Sequence, residues 1–417
     1  MNHLSVSAQN ACAPEQKKPI HLGYIDGLRG IASFYVVMHH FCLWGTAGLP
    51  RWAHLLFGWT LYGHFAVAVF ITLSGFCLML PVSRSSNKRL RGGFRQYIKR
   101  RAWRILPPYY AALILSIIIL LFSPQGFHWL KAGFRSSDNL WLSNLTLGSI
   151  VSHLLVVHNL SKDWSGKLDM AMWSIATEWQ IYFLFPLVLL PVWRRYGNVS
   201  VVAVGFALGM VPHLLLPMGR NFDWACPWYL GLFALGMIVA TMSISHVWTK
   251  AQANYLPWIT LTLGLLYLGM KFLYHGSTTD EDNPIEWIKD TLGGMIAASV
   301  ILYCAAATNS SIRIPLLHLL ENKVMVGLGT WSYSLYLVHC LILREMQTLQ
   351  SALHLSNVTA LLLRVCVGVP LALLTAYLFF LIFERPFLRS KSSERANVDS
   401  RNANAEIARD TAVSPAP

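Results

Sequence analysis

The residues of this sequence best suited to chemistry are an arginine and a histidine within one mostly apolar stretch, residues 24–41. Arg29 and His40 are eleven positions apart, almost three turns of an α-helix, so both side chains share one face about 16 Å apart along the axis. Polar groups at membrane depth are costly unless they face a cavity, and the shared face therefore favours a functional pair. A neutral imidazole can act as a general base near pH 7. The alternative is an arginine that reaches the inner interface and a hydrogen-bonded core histidine.

A second pair of candidates is Arg101 and Arg104, just before Pro107 and Pro108. If this segment is helical, a spacing of three places both guanidinium groups on one side. Two planar guanidinium groups side by side suit phosphate oxygens. The alternative is that both arginines belong only to the positive flank of a membrane span.

A third candidate is Glu178, which lies in the apolar stretch 172–186 with Ser174 four residues earlier on the same face. An acidic group at this depth is costly unless it is paired or faces water. Its expected depth, in the outer half of the membrane, resembles that of His40, so a role beside the histidine is one hypothesis and a structural carboxylate is the other. For His339, a further imidazole in an apolar stretch, we expect a hydrogen-bonded core role.

The composition limits the class of protein. Of 417 residues, 55% are hydrophobic and 12% charged, with a mean hydropathy of +0.46, whereas soluble domains carry about 25% charged residues. This composition is typical of a polytopic membrane protein, in which the net charge of +14 indicates basic cytoplasmic loops rather than nucleic-acid binding. The seven cysteines are scattered without a CxxC motif, which indicates neither a disulfide framework nor a metal site.

The candidate side chains would be positioned by an all-α fold of about ten transmembrane helices, each near the ~20 residues needed to cross. We expect a disordered polar lead over 1–20, one transmembrane domain over 21–388 and a disordered cytoplasmic tail over 389–417. The predicted spans are 24–44, 59–81, 106–123, 173–193, 199–217, 227–245, 254–273, 287–307, 327–346 and 358–384.

The orientation follows from the loop between the second and third spans, which carries nine basic residues and no acidic residue between Arg84 and Arg104. Basic loops face the cytoplasm, so both termini are predicted to be cytoplasmic. The acidic stretch from Asp280 to Glu286 then lies outside.

One segment, residues 124–172, is harder to assign. Its part 140–160 is apolar enough to cross, but a crossing would move every later basic loop to the outside. We therefore expect a long outer segment that packs on the membrane or dips into it. Its tryptophans suit the membrane interface: Trp129, Trp141 and Trp164.

Six short motifs occur in a fixed order over nearly the whole chain, residues 24–387: IDGLRGIA…HH, FITLSGF, RRAWRILPPYY, MWSIATEWQIYFLFPLVL, SYSLYLVH and FERPF. Each is weak alone, but six in order resemble the acyltransferase-3 family of bacterial integral-membrane O-acyltransferases. The family's motif residues fall here on Arg29, His40, Arg101, Arg104, Trp173, Ser174 and Glu178.

The resemblance implies a role for each of these residues. His40 and Glu178 are the implied catalytic residues, with Glu178 orienting the imidazole or stabilising its charged form. The implied acyl-donor site consists of Arg29, Arg101 and Arg104. Supporting roles are implied for Asp26, Trp173 and Ser174.

The resemblance also implies the activity. The protein would move an acyl group, often acetyl, from cytoplasmic acyl-CoA to a hydroxyl of a carbohydrate or glycosylated acceptor, in the bacterial inner membrane. We expect acyl-CoA as co-substrate, with no bound cofactor or metal, and the membrane lipid and a glycan as the other partners. Some family members carry a further hydrolase-like domain; here the membrane domain is expected to complete the transfer alone.

A second hypothesis is a multi-pass carrier of small anions, with Arg29 and His40 lining the path. Such carriers often show inverted repeats and interrupted helices at the membrane midplane. The sequence shows no repeat, and its polar residues lie at two different depths. Substrate uptake without covalent modification would favour the carrier.

Overall fold

The computed structural model of the protein describes residues 22–43, 49–122, 145–215, 223–245, 250–273, 285–310, 312 and 314–388. Within these ranges the regular elements are helices, with no strand, so the all-α prediction is confirmed. The predicted disordered lead and tail lie outside the described residues, as do Trp129, Trp141 and the acidic residues 280–282.

The helices follow one another closely along the chain. We number them α1 to α16, and three π-helical stretches, Phe185–Leu189, Arg364–Gly368 and Phe380–Glu384, continue α7, α15 and α16. Their bounds are α1 Gly23–Leu43, α2 Arg51–Phe57, α3 Gly63–Arg84, α4 Gly93–Phe122, α5 Leu147–Leu154, α6 Lys162–Ser165, α7 Trp173–Leu184, α8 Leu190–Leu215, α9 Tyr229–Ser245, α10 Lys250–Leu273, α11 Glu286–Asn309, α12 Pro315–Leu320, α13 Lys323–Thr330, α14 Ser332–Ala352, α15 Asn357–Leu363 and α16 Val369–Phe379.

Several helices are long and apolar enough to cross a membrane. In the described part of the chain six helical stretches meet that requirement, or seven if α13 and α14, bent by 73° at Trp331, form one broken span. The protein is thus a helical membrane protein. The predicted count of ten spans and the cytoplasmic termini stay predictions, although each predicted span overlaps a helix.

The difference in count arises partly from α7 and α8, which run together with one π-helical stretch over Trp173–Leu215. These 43 residues would extend about 65 Å as one straight helix, roughly twice the hydrocarbon thickness of a bilayer. Gly197 interrupts the stretch with a φ of 83°, which glycine adopts without steric cost. This break lies between the predicted spans 173–193 and 199–217.

The helix that carries the candidate pair, α1, packs against α3, α13 and α14. Two of its glycines allow this approach, because a Cβ atom on Gly27 would overlap the Leu320 carbonyl and one on Gly30 would meet the Met325 carbonyl. Gly329 of α13 faces the Asp26 carbonyl in the same way. Small residues of this kind let membrane helices pack backbone against backbone.

A second close contact joins α3 to α9. Gly75 lies against the Phe233 carbonyl, and Gly236 of α9 lies against the Thr72 carbonyl. The sequence predicts this kind of packing for Ser74-Gly75, and the prediction is confirmed. The reciprocal contact fixes α3, whose Cys77 faces Arg29.

The described part of the outer segment, residues 145–172, contains no helix long enough to cross. Its α5 has eight residues, about 12 Å. It packs on α4, because Tyr109 and Tyr110 donate hydrogen bonds to the backbone carbonyls of His153 and Leu154. The tyrosines of the predicted proline-tyrosine motif therefore hold this segment in place.

Candidate active site

The apolar end of α1 brings His40 to a second imidazole. His40 Nδ1 lies 2.8 Å from His339 Nε2, and His339 is fully buried on α14. The expected core role of His339 therefore becomes a direct contact with the candidate base. The two residues are 299 positions apart.

The hydrogen bonds around this histidine pair define its tautomers. His339 Nδ1 lies 3.0 Å from the Leu335 carbonyl and 2.9 Å from the Tyr336 carbonyl. Carbonyl oxygens only accept, so His339 carries its proton on Nδ1 and its Nε2 is an acceptor. His40 must then donate from Nδ1, which leaves the lone pair on His40 Nε2 for a substrate proton.

The neighbouring His39 has a different partner. Its Nδ1 lies 2.9 Å from the Thr60 carbonyl, and its side chain is buried beside Gly63. This contact ties α1 to the start of α3. His39 is therefore a packing residue, as its position on the helix predicts, and His40 is the imidazole that meets His339.

At the other end of α1, Arg29 lies between two partners. Its guanidinium group is 3.6 Å from the Asp26 carboxylate and 3.5 Å from Cys77 Sγ. Arg29 and Asp26 each keep 23% of their side-chain surface exposed, which leaves room for a further anion. The continuous α1 confirms the predicted shared face of Arg29 and His40.

The other two arginines lie near Arg29. Both sit on α4, with its Pro107-Pro108 step inside the helix, and Arg104 is in electrostatic range of Arg29 and Arg101. The Arg101 Nε atom is buried without a hydrogen-bond partner. Three guanidinium groups in one place, one with an unused donor, indicate a site for an anionic group such as phosphate.

One acidic side chain balances part of this charge. Glu384, buried at the end of the last helix, accepts hydrogen bonds from the Ser334 hydroxyl at 2.5 Å and the Ser334 amide at 3.2 Å. It lies in electrostatic range of Arg104 and Arg29. Glu384 therefore joins the arginine site, which we define as Arg29, Arg101, Arg104 and Glu384.

Glu178 lies toward the arginine site rather than on the histidine pair. Tyr182 donates a 2.6 Å hydrogen bond to the Glu178 carboxylate, and Ser74 lies 3.2 Å from the tyrosine hydroxyl. Arg29 is in electrostatic range of both Glu178 and Tyr182. The bonded partner of His40 in the structure is His339, so the expected orienting contact from Glu178 is made by a histidine instead.

The residues that precede Glu178 lie near the histidine pair. The Ser174 hydroxyl is 2.6 Å from the hydroxyl of Tyr336, whose carbonyl accepts from His339. Trp173 stacks on the ring of His64, with 5.3 Å between centroids. The Trp-Ser…Glu motif therefore extends from the histidine end toward the arginine site along α7.

Comparison with known proteins agrees with this arrangement. A family model described as an acyltransferase domain matches residues 22–381. The chain belongs to the acyltransferase-3 family. The motif residues of this acyltransferase-3 chain lie at the two ends of one helix in its structure.

Curated relatives of this family member include cell-wall enzymes. The chain is 24% identical over 334 residues to the putative peptidoglycan O-acetyltransferase YrhL of Bacillus subtilis, covering 73% of this chain and 49% of the relative. It is 22% identical over 345 residues to the peptidoglycan O-acetyltransferase OatA of Listeria monocytogenes, covering 76% and 48%. The chain thus spans about half the length of these relatives. No solved structure matches it.

Proposed function

We propose that this acyltransferase-3 family member is a membrane O-acyltransferase that moves an acyl group, acetyl in the simplest case, from acyl-CoA to a hydroxyl of a carbohydrate. The curated relatives support the class of reaction and acceptor, since their names describe O-acetyltransferases, two of them of peptidoglycan. We place the protein in the bacterial cytoplasmic membrane, with both termini inside, on the strength of its basic loop.

The observation that carries the proposal is the two-ended geometry of α1. An anion site with three arginines lies at one end and an imidazole with a free Nε2 lone pair at the other, about 16 Å away. A long, thin donor molecule with anionic phosphates at one end and a thioester at the other fits this separation. Acyl-CoA has this shape.

In the donor site, Arg29, Arg101 and Arg104 bind the phosphates, and the unused Arg101 Nε donor faces one of their oxygens. Asp26 and Glu384 orient two of the guanidinium groups. Glu178 and Tyr182 lie between the arginines and the histidine pair, where they line the path of the pantetheine arm. Glu178 thus positions the donor side of the reaction through Tyr182 and Arg29.

At the other end, His40 Nε2 takes the proton from the acceptor hydroxyl while the hydroxyl oxygen attacks the thioester carbonyl. The C–S bond breaks, the ester C–O bond forms, and the CoA thiolate leaves with the proton that His40 returns. His339 holds His40 in the required tautomer throughout, and accepts from Nδ1 of the imidazolium as it forms. Ser174 and Trp173 position Tyr336 and the mouth of the site.

A direct test is the incorporation of label from acetyl-CoA into glycan by membranes that contain the protein. We expect covalently labelled glycan with the wild type and none above background with His40→Ala, at equal levels of folded protein. Transfer at the wild-type rate by His40→Ala would refute the catalytic assignment. Uptake of an anion without labelled glycan would instead support a carrier.

A further inference from the structure

Three metal-binding side chains meet next to the proposed acceptor end. His64 lies at the start of α3, Cys226 just before α9 and Asp290 in the second turn of α11. One potential ligand atom from each lies within 4.8 Å of the others. We call these residues the His-Cys-Asp cluster; Cys226 and Asp290 are buried.

The spacing of the cluster suits a metal better than a hydrogen bond. His64 Nδ1 and Asp290 Oδ2 are 3.5 Å apart, longer than the usual N–H···O distance of about 2.9–3.0 Å. Two ligands at about 2.05 Å on a tetrahedral zinc ion are separated by about 3.3 Å, and a thiolate and a nitrogen by about 3.6 Å. The cluster therefore needs only small shifts to become a coordination shell.

Two further features support a ligand at this point. Asp290 is only 1% exposed, yet its Oδ1 atom has no hydrogen-bond partner, which is costly for a buried carboxylate. Its Oδ2 accepts a 2.8 Å hydrogen bond from the Trp228 indole, the kind of outer contact that orients a ligating carboxylate. Cys226 has a φ of 44°, a strained conformation for this residue type that is often found at functional sites.

The surrounding charges are compatible with a cation. Glu286 Oε1 is 3.8 Å from His64 Nδ1, and Glu286 is itself paired with Lys289. The two carboxylates and a thiolate outweigh the single lysine. A divalent ion would compensate the excess negative charge of this buried site.

We propose that His64, Cys226 and Asp290 bind one zinc ion. Three protein ligands from a nitrogen, a sulfur and an oxygen donor leave one open position, as in zinc sites that bind water or substrate. His64 is in electrostatic range of His40, so the ion lies beside the histidine pair. If the proposed acyl transfer is correct, the open position is available to a hydroxyl of the carbohydrate acceptor.

The test measures metal directly and does not depend on activity. The full-length protein is purified in detergent from cells supplied with zinc, dialysed against metal-free buffer and analysed by plasma mass spectrometry. We expect about one zinc per chain, and less than a fifth of that in Cys226→Ser, His64→Gln and Asp290→Asn. Cys304→Ser is the matched control, since Cys304 is a buried cysteine further along α11, and it should retain the metal.

Cobalt substitution of the wild type needs no variant that could fail to fold. A cobalt–thiolate charge-transfer band should appear in the wild type and in Cys304→Ser, and disappear in Cys226→Ser. Absence of both stoichiometric zinc and this band in the folded wild type would overturn the proposal. His40→Ala should lose acyl transfer but keep its zinc, and loss of zinc in this variant would place the ion at the histidine pair instead.

Discussion

Removal of the His339 imidazole tests the tautomer assignment on which the proposed chemistry rests. In His339→Leu, His40 loses the acceptor that its Nδ1 proton meets at 2.8 Å. The imidazole is then free to carry its proton on Nε2, the atom that must accept the proton of the acceptor hydroxyl. His339→Gln is the matched variant, because its side-chain amide offers an acceptor oxygen near the former Nε2 position.

The expected magnitude follows from the contact that is lost. Leaving a buried donor unpaired costs about 1–3 kcal/mol, and each 1.4 kcal/mol changes a rate tenfold. The kcat of His339→Leu should therefore fall about 5- to 150-fold, with the KM for acyl-CoA unchanged because the arginine site is not touched. His339→Gln should recover most of the loss.

The assay follows label from acetyl-CoA into glycan over a range of donor concentrations, so that kcat and KM are separated. Protein amount and folding are checked by size-exclusion chromatography of each variant in detergent. A wild-type kcat for His339→Leu would refute the assignment, and a rise in the KM for acyl-CoA with kcat intact would place His339 in donor binding.

Three further predictions test other parts of the account. Arg101→Ala should raise the KM for acyl-CoA about 10- to 150-fold, as expected for a lost charged hydrogen bond of about 1.5–3 kcal/mol, whereas the exposed Arg95→Ala should not change it; equal effects in a CoA-binding titration would contradict the arginine site. Gly75→Ala should lower the midpoint of thermal unfolding by several degrees, because its Cβ would overlap the Phe233 carbonyl, while Gly264→Ala, with open space around it, should not. Burial raises the pKa of Asp169 to about 6, above its unfolded value, so the folded state binds the proton more tightly and loses stability as pH rises from about 4 to about 6; Asp169→Asn should lack this loss in thermal unfolding, and an identical pH dependence in both proteins would show that Asp169 is not the group responsible.

The local features of α1 could be predicted from sequence because they depend only on helix periodicity. The shared face of Arg29 and His40 needs no information beyond their spacing, and the structure confirms it. The close packing at Gly75 was likewise predictable from small residues in an apolar helix. The family was recognisable because its motifs occur in order.

The partners of the candidate residues could not be predicted, because they come from distant parts of the chain. His339 meets His40 across 299 positions, and no periodicity relates them. Glu178 was expected at the depth of His40 from its place in a predicted span, but its side chain is bonded to Tyr182 one turn along α7. Depth alone does not determine which way a side chain points.

The His-Cys-Asp cluster shows the same limit for metals. Cys226 is an isolated cysteine in the sequence, and the absence of a CxxC motif indicated no metal site. The cluster forms only when the beginnings of α3, α9 and α11 come together. A histidine, a cysteine and an aspartate that each begin or precede a predicted span are the signal that sequence analysis could have used.

The measurement that tests the central claim most directly is acyl transfer across an oriented membrane. Inside-out vesicles with the full-length protein receive labelled acetyl-CoA on their cytoplasmic face, and labelled glycan is then counted for the wild type and for His40→Ala. The two-ended account of α1 predicts labelled glycan in wild-type vesicles and background label in His40→Ala. Equal labelling by both proteins, or no labelling of any glycan by the folded wild type, would contradict it.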